Sequence, residues 1–209
     1  MPRMSLVDKV SPDRAALIVV DMQNDYCHPE GCLGQRGYDT SMSEAMTPTL
    51  SNLILEARSV GIPIIFIQTI HTEATDSPAW LERSDHSNSI CRLGTFGADF
   101  YGVSPQAGDI VVNKHRYSAF IGTRLDQVLR SLKRETIIMT GVATNVCVES
   151  TARDGFMLDY YVVFMADCTA SSNEMAHHAT LENIGRHFGV VATAEEVIAA
   201  WSKQPVAVE

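Results

Sequence analysis

The sequence predicts a three-layer α/β/α sandwich built on a six-stranded, mainly parallel sheet. Three observations lead there. Short apolar runs alternate along the chain with stretches of helical periodicity. The runs are apolar at consecutive rather than alternate positions, as strands covered on both faces must be. Helix-start signals recur near the C-terminus, where Ser171 with Glu174 and Thr193 with Glu196 fit capping boxes. At 209 residues the chain is expected to form one domain, 1–209, long enough for a sizeable core.

AALIVV (15–20) reads as a buried first strand ending at Asp21. Residues 41–60 read as a helix that Pro48 should interrupt or restart, because proline lacks an N–H and its ring crowds the preceding turn. IPIIFI (62–67) is a second strand and DIVVN (109–113) a short third. The connection 68–108 is too long to be plain, so a functional loop or lid is expected. Residues 122–133 carry Leu125, Val128, Leu129 and Leu132 at helical spacing. TIIMT (136–140) is the fourth strand, 145–158 the next helix, YYVVFM (160–165) the fifth strand and 190–192 a short sixth.

Composition narrows the function. The apolar and charged fractions, 45% and 20%, are those of a soluble globular protein. A net charge of −9 argues against a nucleic-acid partner, which would want a basic face. No apolar run approaches a membrane span, and the N-terminus lacks a signal-type apolar core, so a cytoplasmic location is expected. The five cysteines are odd in number and form no C-x-x-C pair. That speaks against a disulfide framework or structural zinc site and for free thiols.

Three residues at strand ends carry the chemistry. Asp21 ends the first strand, Lys114 follows the third and Cys147 follows the fourth across the turn GVATN. In a doubly wound sheet such ends converge beyond the carboxyl edge. Thr144 can cap the following helix and place Cys147 in its first turn, where the helix dipole and the Lys114 ammonium would both favour a thiolate. A lowered Cys147 pKa is therefore expected. Asp21 can accept the thiol proton and return it to a leaving amine. Backbone N–H groups around Ala143 and Cys147 are unpaired at a helix start and can receive an oxyanion. The set suffices for acyl transfer without a metal or other cofactor.

Three segments in order, ALIVVDMQNDY, GDIVVNKHRYSAF and GVATNVCVESTARDGF, make the chain resemble the isochorismatase-like cysteine hydrolases over residues 13–200. The resemblance implies the Rossmann-like fold of that family and a triad of Asp21, Lys114 and Cys147. It implies an oxyanion hole of the Ala143 and Cys147 N–H groups, with a cis peptide between Val142 and Ala143. The presence of Cys147 implies an amidase rather than a vinyl-ether hydrolase. Metal-binding members carry an Asp-x-His pattern after the second strand. Here His71, Glu73, Asp76 and His86 are present without that pattern, so no metal is expected.

RYSAF (116–120) and TNVCVESTARDGF (144–156) bring the chain nearest to the ureidoacrylate, biuret and triuret amidohydrolases. The substrate implied is a small ureido or amide compound that would release ammonia, and the assembly a homodimer or homotetramer; the alternatives are an amidase for a plain carboxamide of nicotinamide, maleamate or N-carbamoylsarcosine type, or a non-catalytic binding protein of the same fold. Gln68, Tyr26, Tyr117 and His71 are the candidate substrate-binding residues, with Arg92 and Glu73 weaker candidates. His71 and Cys32 stand where that group carries aromatic residues. Cys27 and Cys32 have no role by spacing, and Cys168 reads as buried. His177, His178 and His187 are expected in surface or packing roles, because adjacent histidines cannot share one helix face.

Overall fold

A computed structural model of the chain describes residues 4–85 and 87–203. Six strands form one sheet: β1 (Ala15–Val20), β2 (Ile64–Thr69), β3 (Ile110–Lys114), β4 (Thr136–Val142), β5 (Tyr161–Ala170) and β6 (Val190–Ala192). Their order is β3-β2-β1-β4-β5-β6, and every neighbouring pair is parallel. The order reverses between β1 and β4, which opens a crevice at their carboxyl ends.

The helices are α1 (Leu6–Lys9), α2 (Asn24–Cys27), α3 (Cys32–Gln35), α4 (Ser41–Ser59), α5 (Pro78–Leu81), α6 (Leu125–Ser131), α7 (Glu149–Met157), α8 (Glu174–His187) and α9 (Ala194–Ser202). All six β1 residues are buried, and alternate ones face opposite layers. Leu17 and Val19 pack with Leu50, Leu53 and Trp201 of α4 and α9. Ile18 and Val20 pack with Leu125, Leu129 and Ala152 of α6 and α7. Each such side chain contributes about 1.5–3 kcal/mol when removed from water. The consecutive apolar pattern of the strands thus has its cause in helices on both faces.

Element boundaries differ from the expectations in physically instructive ways. β2 begins after Pro63, which has no N–H for the ladder but whose carbonyl accepts from Leu17. Helix α4 runs unbroken through Pro48. Pro48 and Glu44 are both exposed, so water can serve the Glu44 carbonyl that proline leaves unbonded. The Thr193–Glu196 capping box is present, but the Ser171–Glu174 box is not. Asn173 caps α8 instead, accepting from Ala176 N–H at 2.9 Å, while Ser171 Oγ turns to Asn145 Oδ1 at 2.8 Å. β5 extends to Ala170 because the register shifts between Met139 and Gly141, after which Val142 pairs with Ala170.

The long connection 68–108 is fastened down rather than hung as a loose lid. Asn24 N–H bonds Asp99 O at 3.0 Å, and Tyr101 N–H bonds Met22 O at 2.8 Å. Buried Asp25 accepts from Cys32 N–H at 2.8 Å and Cys91 N–H at 2.6 Å. The segment forms a fixed wall beside the end of β1.

Gly141 adopts φ of +100° beside β1, and a Cβ there would overlap the Val20 carbonyl. Gly141→Ala is therefore expected to destabilise the fold by about 2 kcal/mol or more, read as a lowered Tm in thermal melts. An unchanged Tm would contradict this packing.

Candidate active site

Asp21 leaves β1 in the left-handed region, at φ of +50°, which aspartate tolerates better than most residues. Its N–H bonds Ile67 O at 3.0 Å, which fixes the residue against the end of β2. Asp21 Oδ1 accepts from the Thr69 hydroxyl at 2.9 Å, and Oδ2 faces Lys114 Nζ at 2.8 Å. Lys114, the last residue of β3, also donates to Arg116 O at 2.9 Å and lies 3.4 Å from Cys147 Sγ. The structure thus brings Asp21, Lys114 and Cys147 together, with residue exposures of 0%, 1% and 5%.

Cys147 sits in a wide, π-type turn, Thr144–Val148, that leads into α7. Ala143 O takes both the Val146 N–H (3.0 Å) and the Val148 N–H (3.2 Å). The peptide between Val142 and Ala143 is cis. Thr144 does not cap this turn, contrary to expectation. Its buried hydroxyl points to α8 and pairs with His177 Nδ1 at 2.9 Å. His177 is therefore buried in a polar contact behind the cysteine, while His178 is exposed as expected. On the other side, Thr151 Oγ1 donates to Cys147 O at 2.7 Å and accepts from Ala119 N–H at 3.0 Å.

The expected lowering of the Cys147 pKa is overturned. Burial is the dominant influence and, with the Asp21 charge and hydrogen bond, pushes the thiol up to about 12; the Lys114 ammonium opposes this and does not prevail. Lys114 itself stays above its ordinary value. Burial would lower it, but the Asp21 carboxylate and the cysteine outweigh that. The resting arrangement is an ion pair beside a neutral thiol, with the base already in place to take its proton.

Of the candidate binding residues, Tyr26 and His71 lie against this centre. The buried Tyr26 phenol lies close to Asp21 and the thiols of Cys91 and Cys147, and burial, with the Asp21 carboxylate adding to it, holds its pKa well above the ordinary value. His71 is fully buried, and burial is the main cause holding it down to about 4, so it is neutral at pH 7. Gln68 instead uses its amide N–H on Ala98 O at 2.9 Å, holding the long segment. The Tyr117 hydroxyl is taken by Arg83 at 2.7 Å. Arg92 pairs with Asp76 at 2.8 Å, and Glu73 is exposed. His86 lies outside the described residues. Among the described residues no three His, Cys, Asp or Glu side chains are grouped as metal ligands. All five cysteines are free.

Sequence reasoning missed Gln23, Thr69, Thr151 and the contact of His177 with Thr144. Gln23 is buried and bonds Thr69 O (2.9 Å), Ala98 O (2.8 Å) and Thr69 N–H (2.8 Å). Its place two residues beyond Asp21, just past the carboxyl end of β1, was the available signal for it.

Such a constellation can perform acyl transfer: a thiol, a carboxylate within its reach and a buried cation between them. Residues 15–196 match the isochorismatase domain model, and the chain belongs to the isochorismatase family. It is 38% identical over 202 residues to ureidoacrylate amidohydrolase RutB of Serratia proteamaculans (strain 568), covering 88% of this chain and 82% of that one. The enzyme of the same name from Pseudomonas syringae pv. syringae (strain B728a) is 37% identical, with 93% and 86% covered. Among solved structures, a cysteine hydrolase from Pseudomonas syringae pv. phaseolicola 1448A superposes with a TM-score of 0.86 at 30% identity, over 93% of this chain and 95% of that one. N-carbamoylsarcosine amidase from Thermoplasma acidophilum superposes with a TM-score of 0.75 at 26% identity, over 87% and 97%.

With the thiol pushed up to about 12, the thiolate fraction grows with pH across the whole neutral and mildly alkaline range. Alkylation of Cys147 by iodoacetamide is expected to accelerate by about tenfold per pH unit from pH 7 to 10. The check is mass-resolved labelling against pH. A plateau below pH 8 would mean that the lysine, not burial, governs the thiol.

Proposed function

We propose that this chain, an amidohydrolase of C–N bonds in linear amides, cleaves the terminal ureido or amide group of a small compound of ureidoacrylate, biuret or triuret type. The observation that carries the reading is the contact of Cys147 with the buried Asp21–Lys114 pair at the switch point of the sheet. The ureidoacrylate amidohydrolases among the relatives support the ureido class.

In this reading Asp21 takes the Cys147 proton as the sulfur attacks the terminal carbonyl carbon. With burial pushing the thiol up to about 12, that transfer is coupled to formation of the C–S bond. Charge developing on the carbonyl oxygen falls to the Ala143 and Cys147 N–H groups. Asp21 then gives the proton to the departing nitrogen, and ammonia leaves. The thiocarbamate (or thioester) on Cys147 is cleaved by water, whose proton passes through Asp21 to the sulfur. A ureido substrate yields a carbamic acid, which loses CO2 to give the amine. Lys114 stays protonated throughout and holds the carboxylate in line. Tyr26 and His71 line the substrate side, and Gln68 and Tyr117 act through the wall and the mouth of the site.

We also propose a homodimer or homotetramer and a cytoplasmic location. The exposed apolar stretch Phe156, Met157, Leu158 and Tyr161 supports the first, and five free cysteines support the second.

Ammonia release from ureidoacrylate, biuret, triuret, nicotinamide and maleamate tests the reading. Release is expected from ureido compounds, and Cys147→Ala and Asp21→Asn should each lower turnover by roughly a thousandfold or more. Near-wild-type turnover in Cys147→Ala would sink the covalent scheme, and release from carboxamides alone would sink the ureido assignment.

A further inference from the structure

Four hydrogen bonds reach from α8 and the residues just before it to the stretch that carries the nucleophile. Thr144 Oγ1 pairs with His177 Nδ1 at 2.9 Å, and Ser171 Oγ donates to Asn145 Oδ1 at 2.8 Å. Thr180 Oγ1 donates to Glu149 Oε2 at 2.7 Å, and Asn183 Nδ2 to Glu149 Oε1 at 3.1 Å. Thr144, Ser171, His177 and Thr180 are all buried. His177, Thr180 and Ile184 stand three and four residues apart and share one face of α8. Ile184 joins the apolar cluster of Cys147, Val148 and Ala152. The face is thus apolar at Ile184 and polar where it meets Thr144 and Glu149.

The polar contact is the costlier way to fill that space. An aliphatic pair at 144 and 177 would pack there without desolvating a hydroxyl and an imidazole. Burial, with His178 beside it, holds the His177 pKa below its ordinary value, so the ring is neutral at pH 7. What the hydrogen bond adds is direction, because it orients both partners where apolar packing would let the turn slide.

The turn lacks such fixing from its own residues. No side chain caps its start, and one carbonyl, Ala143 O, serves the Val146 and Val148 N–H groups at 3.0 and 3.2 Å. Thr144 and Asn145 lie between Ala143 and Cys147, whose N–H groups are read as the oxyanion hole. Their side chains are held from the α8 side, by His177 and by Ser171. Ala143 is only half-buried, so the anchored span still presents a face to an entering molecule.

We propose that His177, acting through Thr144, is a positioning residue for the oxyanion hole, setting the separation and aim of the Ala143 and Cys147 N–H groups. The inference rests on the amidohydrolase reading and adds to it a residue from α8, a helix that supplies no member of the triad. Donors aimed at a developing oxyanion act in the transition state and little before it. A misplaced hole is therefore felt in kcat rather than in KM.

Thr144→Val and His177→Leu remove the contact from either side. Thr144→Ser keeps the hydroxyl, and His177→Asn keeps a polar atom at the Nδ1 position. In ammonia release the first two should lower kcat by about tenfold or more with KM within about twofold, and the second two should restore most of the rate. The double variant Thr144→Val with His177→Leu should be little worse than either single one. A merely structural contact would lower Tm and leave kcat per folded site unchanged, and that result would overturn the proposal. Where His177→Leu fails to fold, the isosteric Thr144→Val decides.

A second readout needs no turnover. Propanal accepts the Cys147 sulfur at its carbonyl carbon. The C–S bond forms as the carbonyl π bond opens onto oxygen, and the thiol proton passes through Asp21 to that oxygen, which accepts from the hole. The adduct protects Cys147 from iodoacetamide. Protection should require about tenfold more propanal in Thr144→Val and His177→Leu, while alkylation without the aldehyde changes by less than about twofold. Equal protection in every variant would overturn the positioning role, and so would an unaltered protein that propanal does not protect. The expected aldehyde pattern without ammonia release from any compound would sink the hydrolase reading and keep the positioning role. Release from ureido compounds with kcat untouched in the variants would do the reverse.

Discussion

The buried ion pair between Asp21 and Lys114 is the constraint on which the site depends. Two full charges with exposures near zero stand inside a domain core. Removing one partner from such a pair leaves an uncompensated charge and costs about 3–5 kcal/mol. The surrounding structure is arranged to satisfy what the pair alone does not. Thr69 completes the carboxylate, and the Arg116 carbonyl takes a second ammonium proton. Gln23 holds Thr69 by its backbone N–H and C=O, so a residue with no contact to the thiol fixes the carboxylate's support. Because one charge follows β1 and the other ends β3, they also tie the outer strand to the middle of the sheet.

The same burial sets the state of the cysteine. Inside this closed centre the negative carboxylate and the loss of water outweigh the ammonium, and the thiol keeps its proton. An ion pair that is already neutral as a whole has little net field left to ionise a third group. The nucleophile's geometry is secured separately, by α7 through Thr151, by α8 through His177 and by Ser171 of the connection between β5 and α8. Glu149, at the start of α7, is in turn held by Thr180 and Asn183 of α8. The turn that carries Cys147 is thus clamped from both sides by hydroxyl, imidazole and amide contacts.

Beyond this centre the wall formed by 68–108 does two jobs. Its first half supplies the His71–Trp80 stack, and its second half is stitched to the segment after β1 through Gln23, Asn24 and Asp25. A connection of this length can remain ordered because buried side chains, rather than regular ladders, accept and supply its backbone hydrogen bonds.

Much of the architecture was legible in the residues alone. Consecutive apolar runs forced strands buried on both faces, and Thr193 with Glu196 marked a helix start that is present. Asp21, Lys114 and Cys147 could be singled out because each follows a strand and each has a side chain suited to acyl transfer. Local pattern did not carry the rest. Ser171 fits a capping box as well as Thr193 does, but a tertiary hydrogen bond to Asn145 claims it. Pro48 looks like a break until its exposed position lets water replace the missing bond. The thiol's protonation depended on how completely the site closes, and the partners of Gln68 and Tyr117 on which side chains meet across distant stretches of chain. Sequence fixes which groups are available. Only the tertiary structure decides which of them lose water and which find a partner, because desolvation and pairing are properties of contacts between distant segments.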